Sequence, residues 1–516
     1  MKRIKSWIQN KLFILLPVIL LMLFFSFSFF ITLDKISEQP SENFSRSTPV
    51  GKITSKNIPW VENHQDGSFS IYTYFDLSPY QIDVNADLSV ANQKKLALPI
   101  DEWDTIYKLE DKLYYLKRGT LYTEKGEELL NEIETSAGKE NVLLLSKGQA
   151  VYQLNLKNNS VRKVISDIPT HREILFPSED TLAFINRTEN NGEIHIYQIK
   201  NGNYNFLKTE NVKTPPGRNI KEVDVLISNN KISIVVGTVL QKQADHVFNA
   251  YYDTHNLDED TQLKELSLID PVTGGIFLEF QDFSIINETE GKEIVFTAYG
   301  NTVTKDKDGL GFNIYKAVIS NDNVDVVKLS DTLGISAKPF QANDEVLIWM
   351  EYKNGYNNLL AGSSNQDAMN RLGHATKEDA TIALGLVLSS YTKSFFIWIF
   401  TATWYLFPMI FFVVIMVFKR GFLDQDLHWV TYVAVALYMI AALLQQDRVF
   451  TPGFEANAPA FLSFPGSSYV WIFVSGIIAW IFLRLSKIDW STPVKAFYFI
   501  FVHILFLSAL AGPYLL

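Results

Sequence analysis

Residues Leu12 to Ile31 form a run of twenty without one charged side chain. A helix rises about 1.5 Å per residue, so this run reaches across a hydrocarbon layer about 30 Å thick. The competing reading is a cleavable signal peptide. The run is long for such a segment, however, and its end, Ser28-Phe29-Phe30-Ile31-Thr32-Leu33, lacks a small-x-small cleavage pattern. An uncleaved membrane anchor is expected, and it divides the chain into parts that meet lipid and parts that do not.

The rest of the chain keeps that division. Apolar residues crowd again into 395–516, whereas 34–380 is mixed and polar. Four more spans are expected in the C-terminal part: Phe395–Phe418, kinked at Pro408, then Trp429–Leu444, Tyr469–Leu483 and Ala496–Leu510. The last three are short against the usual ~20 residues. Trp429, Tyr432, Tyr469, Trp471 and Trp490 stand where interfacial anchors belong. Placing the N-terminus in the cytoplasm puts Lys2, Arg3, Lys5, Lys11, Lys419, Arg420, Arg484, Lys487 and Lys495 inside, while the short outside loop 445–468 holds only Arg448 and the tail after Leu510 holds none. This agrees with the positive-inside rule. The expected topology is five spans in a plasma membrane, with the C-terminus and a large domain outside the cytoplasm.

The net charge of −10 is unevenly shared. Residues 1–33 carry +4 and 395–516 carry +1, which leaves −15 for the middle. An acidic domain is a poor partner for nucleic acid or an anionic lipid surface; solubility accounts for its charge. There are no cysteines, which excludes disulfides, thiolate metal sites and cysteine nucleophiles. The Lys-, Asn- and Ile-rich composition resembles that of low-GC Gram-positive bacteria.

Within residues 58–362 the pattern is alternation. Lys112–Lys117 (KLYYLK), Glu193–Lys200 (EIHIYQIK), Asn313–Ile319 (NIYKAVI) and Glu345–Met350 (EVLIWM) are β-branched and aromatic runs of strand length. Asn201-Gly202, Lys307-Asp-Gly309 and Asn354-Gly355 punctuate them with turn chemistry. A degenerate unit recurs, clearest in Leu182–Lys208 and Ile294–Ser330 and abbreviated in Leu113–Leu130 and Val346–Gly362. Such repetition predicts an all-β domain of four-stranded blades, a β-propeller of six or seven blades; a β-sandwich array is the alternative. Over about residues 60–365 the repeats resemble the TolB-like and WD40-like propellers of exported bacterial proteins, although no Trp-Asp dipeptide closes a blade. Residues 34–57 read as a polar linker. Residues 363–394 read as a second, with an interfacial helix over Ile382–Tyr391.

Candidate sites are few. Asp306-Lys-Asp308-Gly309 resembles the opening of a calcium loop, but the later bidentate acid is missing, and a hairpin turn is the plainer reading. His246 and His255, with Asp245, Asp253 and Asp258, read as an insertion loop, with a metal site as the alternative. The remaining extramembrane histidines, His64, His171, His195 and His374, lack metal-ligand spacing. In the loop between the third and fourth spans, Phe450, Phe454, Phe461 and Phe464 need cover, either among the spans or against a partner. His503 is an ionisable residue well inside a span. It is expected to be neutral and bonded to a neighbouring helix, with a proton relay as the alternative.

No cofactor is expected. The leading functional expectation is a non-enzymatic membrane protein whose propeller binds a ligand or envelope partner. A propeller-borne hydrolase is the second reading. A transporter subunit is the third, opposed by spans that lack carboxylates.

Overall fold

A computed structural model describes residues 2–168, 173–242, 245–271, 274–286, 293–301, 310–320, 323–332, 334–419, 427–459, 461–486 and 490–514. The chain divides into two compact units: Glu38–His374, and Met1–Ser37 together with Ala375–Leu516.

The first unit is a propeller of seven four-stranded antiparallel blades. In chain order, blade 1 spans residues 60–95, blade 2 105–130, blade 3 135–165, blade 4 173–213, blade 5 218–266, blade 6 280–328 and blade 7 335–363. The fourth strand of blade 7 comes from the other end of the domain. Thr48–Ile53 pairs antiparallel with Asn357–Ser363, from Thr48↔Ala361 to Ile53↔Asn357. The stretch expected as a polar linker over 34–57 therefore contains the strand that closes the ring. Its sequence, TPVGKI, holds a proline and a glycine, the residues least suited to a strand, and only pairing across the ring makes it one.

Three of the recurring sequence units begin on the second strand of a blade (Leu182, Ile294, Leu113) and the fourth on that of blade 7 (Val346). Those central strands are buried on both faces: Phe69–Phe75 and Val346–Tyr352 are each covered along nearly their whole length. The core lies between adjacent blades. Ile194 and Ile196 of blade 4 pack with Val223, Val225 and Ile234 of blade 5. Tyr252 and Leu268 pack with Phe296 and Tyr315 of blade 6. Burying one such side chain stabilises by about 1.5–3 kcal/mol, so every blade depends on its neighbours. Two-residue turns join many strands, such as Arg118-Gly119 (φ 47° and 75°) and Asn201-Gly202 (φ 52° and 73°). Positive φ at both positions matches the right-handed twist of the hairpin.

The second unit is helical. Four of its apolar segments are long enough to cross a membrane: Phe13–Ser37, Lys377–Phe418, Ser467–Leu485 and Thr492–Tyr514. His428–Leu444 is apolar but shorter, at 17 residues. The helix expected over Ile382–Tyr391 extends over Lys377–Lys393 and is followed by Phe395–Phe400 and Ala402–Phe418. Its start is set by a capping box in which Thr376 and Asp379 satisfy each other's backbone N–H groups. The N-terminal helix packs into this bundle. Phe24 meets Phe506 edge-on at 5.1 Å, and Phe25 lies 5.5 Å from Tyr391.

Candidate functional site

The first strand of each blade is its innermost, and it starts on what we call the upper face of the ring. The chain enters and leaves the propeller at the lower face, where the Ser45 N–H donates to the Ser363 carbonyl (2.8 Å). The exposed large apolar side chains are not shared evenly between the faces. Ile58, Leu77, Trp103, Val247, Ile269, Ile276, Leu278, Tyr299, Ile335 and Tyr352 lie on or beside the upper loops. Elsewhere on the described propeller are only Val90, Phe206 and Leu207. Apolar surface gathered on one face makes it the candidate interaction surface.

A cavity of about 590 Å³ opens on that face, formed by the loops that lead into blades 1, 2 and 3. Trp103 stands at its edge, 66% exposed, and is held in place. Its N–H donates to Asp101 Oδ1 (3.0 Å) and its carbonyl accepts from Asn57 Nδ2 (2.9 Å). The Lys56 ammonium lies 5.8 Å from its ring. Deeper in the wall, Trp60 packs edge-on to Tyr107 at 5.5 Å. Gly138 makes room for it, since a Cβ there would lie 2.6 Å from the indole. The buried indole N–H of Trp60 has no hydrogen-bond partner. Asp104 is 4% exposed. Burial pushes its carboxyl up, against the Asp101 N–H that donates to it at 2.9 Å. Arg118 is exposed on its two-residue turn, and Glu134 completes the lining. This set offers an exposed aromatic face, a donor from Arg118, and acceptors from Asp104 and Glu134, a composition suited to a small ligand.

Three acids on innermost strands have a different use. Glu222 Oε2 of blade 5 accepts from the Phe283 N–H of blade 6 (3.1 Å), and Asp224 Oδ2 accepts from Ile285 N–H (2.8 Å). Asp282 of blade 6 repeats the device, accepting from the Lys338 N–H of blade 7 (2.9 Å). The donating strands are bulged between Gln281 and Ser284 and between Ala337 and Phe340. Asp282 and Lys338 there take left-handed φ of 57° and 53°. The bulge frees an N–H from its own ladder and aims it at the preceding blade. Burial, and then the Asp282 charge, push the Glu222 carboxyl up to about 8. Burial pushes Asp224 up to about 6.

Blades 4 and 5 share a buried polar network that the sequence reading missed. Glu210, 2% exposed, pairs with Lys208, accepts from Thr261 Oγ1 (2.6 Å) and lies 3.3 Å from His255 Nε2. His255 Nδ1 is 3.0 Å from Asp253. Burial pulls the Glu210 carboxyl upward, but its bonds to Lys208, Thr261 and His255 outweigh that and hold it below the ordinary range. The acidic residues inside the strand runs, as in Lys221-Glu-Val-Asp-Val225 and Thr209-Glu210, were the available signal.

His246 and His255 do not lie in an insertion loop. Both are on the strand Asp245–Asn256, opposite Gln241 and Ile232. Nine residues of strand hold them about 30 Å apart, so they share no metal. Among the described residues no group of three His, Asp or Glu is placed to hold an ion. Asp306 and Asp308 lie outside the described residues, as does His171. His64 bonds Ser70 (3.0 Å) and His195 bonds Thr209 (2.9 Å). His374 offers its carbonyl to Arg46. In the helical unit, Phe450 and Phe454 are buried against each other at 5.1 Å, while Phe461 and Phe464 remain 48% and 39% exposed. His503 is fully buried, between Tyr438 Oη (2.8 Å) and the Ile472 carbonyl (3.0 Å).

No protein-family model matches this chain, and no curated protein matches it. Among solved structures it is similar to U3-55K, at 10% identity over 61% of this chain and 100% of that one, with a TM-score of 0.35. It is similar to Kluyveromyces lactis Hsv2, at 14% identity over 57% of this chain and 90% of that one, with a TM-score of 0.33. It is also similar to Drosophila plexin A, solved in complex with semaphorin 1b, at 7% identity over 62% of this chain and 88% of that one, with a TM-score of 0.33.

Proposed function

We propose that this chain is a multi-pass membrane protein that holds its propeller outside the cytoplasm and recognises an envelope ligand or partner through the upper face. The observation that carries this reading is the gathering of exposed apolar side chains on that face, around a cavity walled by Trp60 and Trp103. Hydrated apolar surface costs solubility, and an acidic domain that concentrates it at one end of a rigid ring gains a recognition surface. The five-span topology with a cytoplasmic N-terminus is part of the proposal, and the distribution of Lys and Arg supports it. The His428–Leu444 segment crosses as the third span despite its length, because a short apolar stretch is accommodated by local bilayer thinning. Neither the hydrolase nor the transporter reading gains an observation in its favour.

The test is photo-crosslinking in cells, with a reactive side chain introduced singly at Leu77, Leu278 or Val90 of the full chain. The first two are upper-face positions and the third is not. Discrete adducts are expected from Leu77 and Leu278. Adducts from Val90 alone would overturn the assignment.

A further inference from the structure

The strand Asp245–Asn256 of blade 5 is paired unequally on its two sides. On the inner side it pairs along its whole length with Lys231–Lys242, from Lys242↔Asp245 to Lys231↔Asn256. On the outer side the fourth strand, Lys264–Leu266, pairs only with Ala250, Tyr251 and Tyr252. Among the described residues, His246 to Asn249 therefore present an open strand edge. The Asn249 carbonyl faces the inner ladder, where it accepts from Thr238 Oγ1 (3.1 Å). Backbone polar groups alternate in direction along an antiparallel strand, so those of His246 and Phe248 point outward. Proteins normally cover such edges or blunt them with charge.

This edge lines a cavity of about 1030 Å³ on the upper face. The same cavity is lined by Ile276 and Leu278, which are 69% and 79% exposed, and by Tyr299 at 38%. Val247, itself 37% exposed, projects from the edge strand. Glu265 and Glu279 stand at the rim.

We propose that this groove binds an extended polypeptide segment of a partner protein, which adds as a strand along His246–Asn249. A row of alternating backbone donors and acceptors beside apolar pockets is matched by another peptide backbone, and not by a lipid chain or a small solute. Four residues of edge span about 13 Å, so the paired segment is four to six residues long. Its side chains are apolar at alternate positions, to meet Leu278 and Ile276. A basic residue flanks it, to meet Glu265 and Glu279 on a domain that carries −15. This inference rests on the reading of the upper face as a recognition surface and names the partner's chemistry.

The experiment uses the full chain in lipid nanodiscs and a phage-displayed library of random dodecapeptides. The expected result is enrichment of peptides with alternating apolar residues and a basic flank. Their binding should fall at least tenfold in Leu278→Asp and in Ile276→Asp, two exposed sites at which the near-ultraviolet circular dichroism of the parent should be retained. N-methylation of every second backbone amide in a selected peptide should abolish binding, while N-methylation of the intervening amides should leave it intact. Tolerance of N-methylation at every position would overturn strand addition. Failure to enrich any peptide would overturn it too. Peptides lost in Trp103→Ala but indifferent to Leu278→Asp would overturn the groove and leave the upper face standing as a recognition surface.

Discussion

Glu222 Oε2, on the innermost strand of blade 5, accepts the backbone N–H of Phe283 on the innermost strand of blade 6 at 3.1 Å. The carboxyl joins two blades while sitting where its charge is poorly solvated, and its proton is held up to about 8. The unfolded chain releases that proton near the ordinary 4.5. Between these two values the folded state binds more protons than the unfolded state, so stability falls as pH rises and levels off above about 8. Asp224, raised from 3.8 to about 6, adds to the lower part of the same window. Glu222→Gln keeps an oxygen for Phe283 and carries no charge. We expect it to stabilise the propeller by about 2 kcal/mol at pH 8.5 and by almost nothing at pH 4. Denaturant titrations followed by near-ultraviolet circular dichroism at the two pH values check this.

The Lys208–Glu210–His255 network should respond in the opposite way to loss of its acid. Glu210→Ala leaves the Lys208 ammonium, at a side chain 20% exposed, without its buried partner. A loss of about 3 kcal/mol is expected. Removing both partners in Lys208→Met/Glu210→Leu should cost clearly less than Glu210→Ala alone. Equal losses would show that the pair's charge is not what matters.

His503 bonds Tyr438 and the Ile472 carbonyl inside the helical unit. His503→Ala should destabilise the bundle by about 1 kcal/mol, the usual worth of a hydrogen bond between membrane helices. It should leave proton flux across liposomes containing the protein unchanged. A change in flux would restore the relay reading.

Topology can be read directly, because the chain has no cysteine of its own. Single cysteines at Leu77 and at Lys419 should differ in intact cells. A membrane-impermeant maleimide should label the first at once and the second only after permeabilisation. Labelling of Lys419→Cys in intact cells would reverse the orientation.

At the mouth of the smaller cavity, Trp103→Ala removes a side chain that is two-thirds exposed. Its effect on stability should stay within about 0.5 kcal/mol. A larger loss would assign Trp103 to packing and not to recognition.

Much of the architecture is legible in the residues themselves. The uncharged run Leu12–Ile31 falls within the helix Lys2–Ser37, as a run of that length and hydropathy predicts. The alternation in 58–362 and the Asn-Gly turns reveal a blade's second to fourth strands, where local pattern and tertiary environment agree. What stayed hidden depends on residues distant in sequence. Thr48–Ile53 is a strand because Asn357–Ser363 lies beside it, more than 300 residues later, and its own Pro49 and Gly51 argue against one. That closure completes the fourth strand of the seventh blade. His246 and His255 look like neighbours in a loop, but the ladder to Lys231–Lys242 stretches them to opposite ends of a strand.

The sequence by itself determined that long apolar segments lie on either side of an acidic strand-rich domain, and that cysteine chemistry plays no part. Those conclusions rest on hydropathy, charge and period, which are local quantities. Tertiary structure alone decided which side chains share a surface. Trp60 and Trp103 come from the approaches to different blades, and Val247, Leu278 and Tyr299 are brought to one groove by the packing of blade 5 against blade 6. A recognition face on a propeller is assembled from loops tens of residues apart, so no window of sequence contains it.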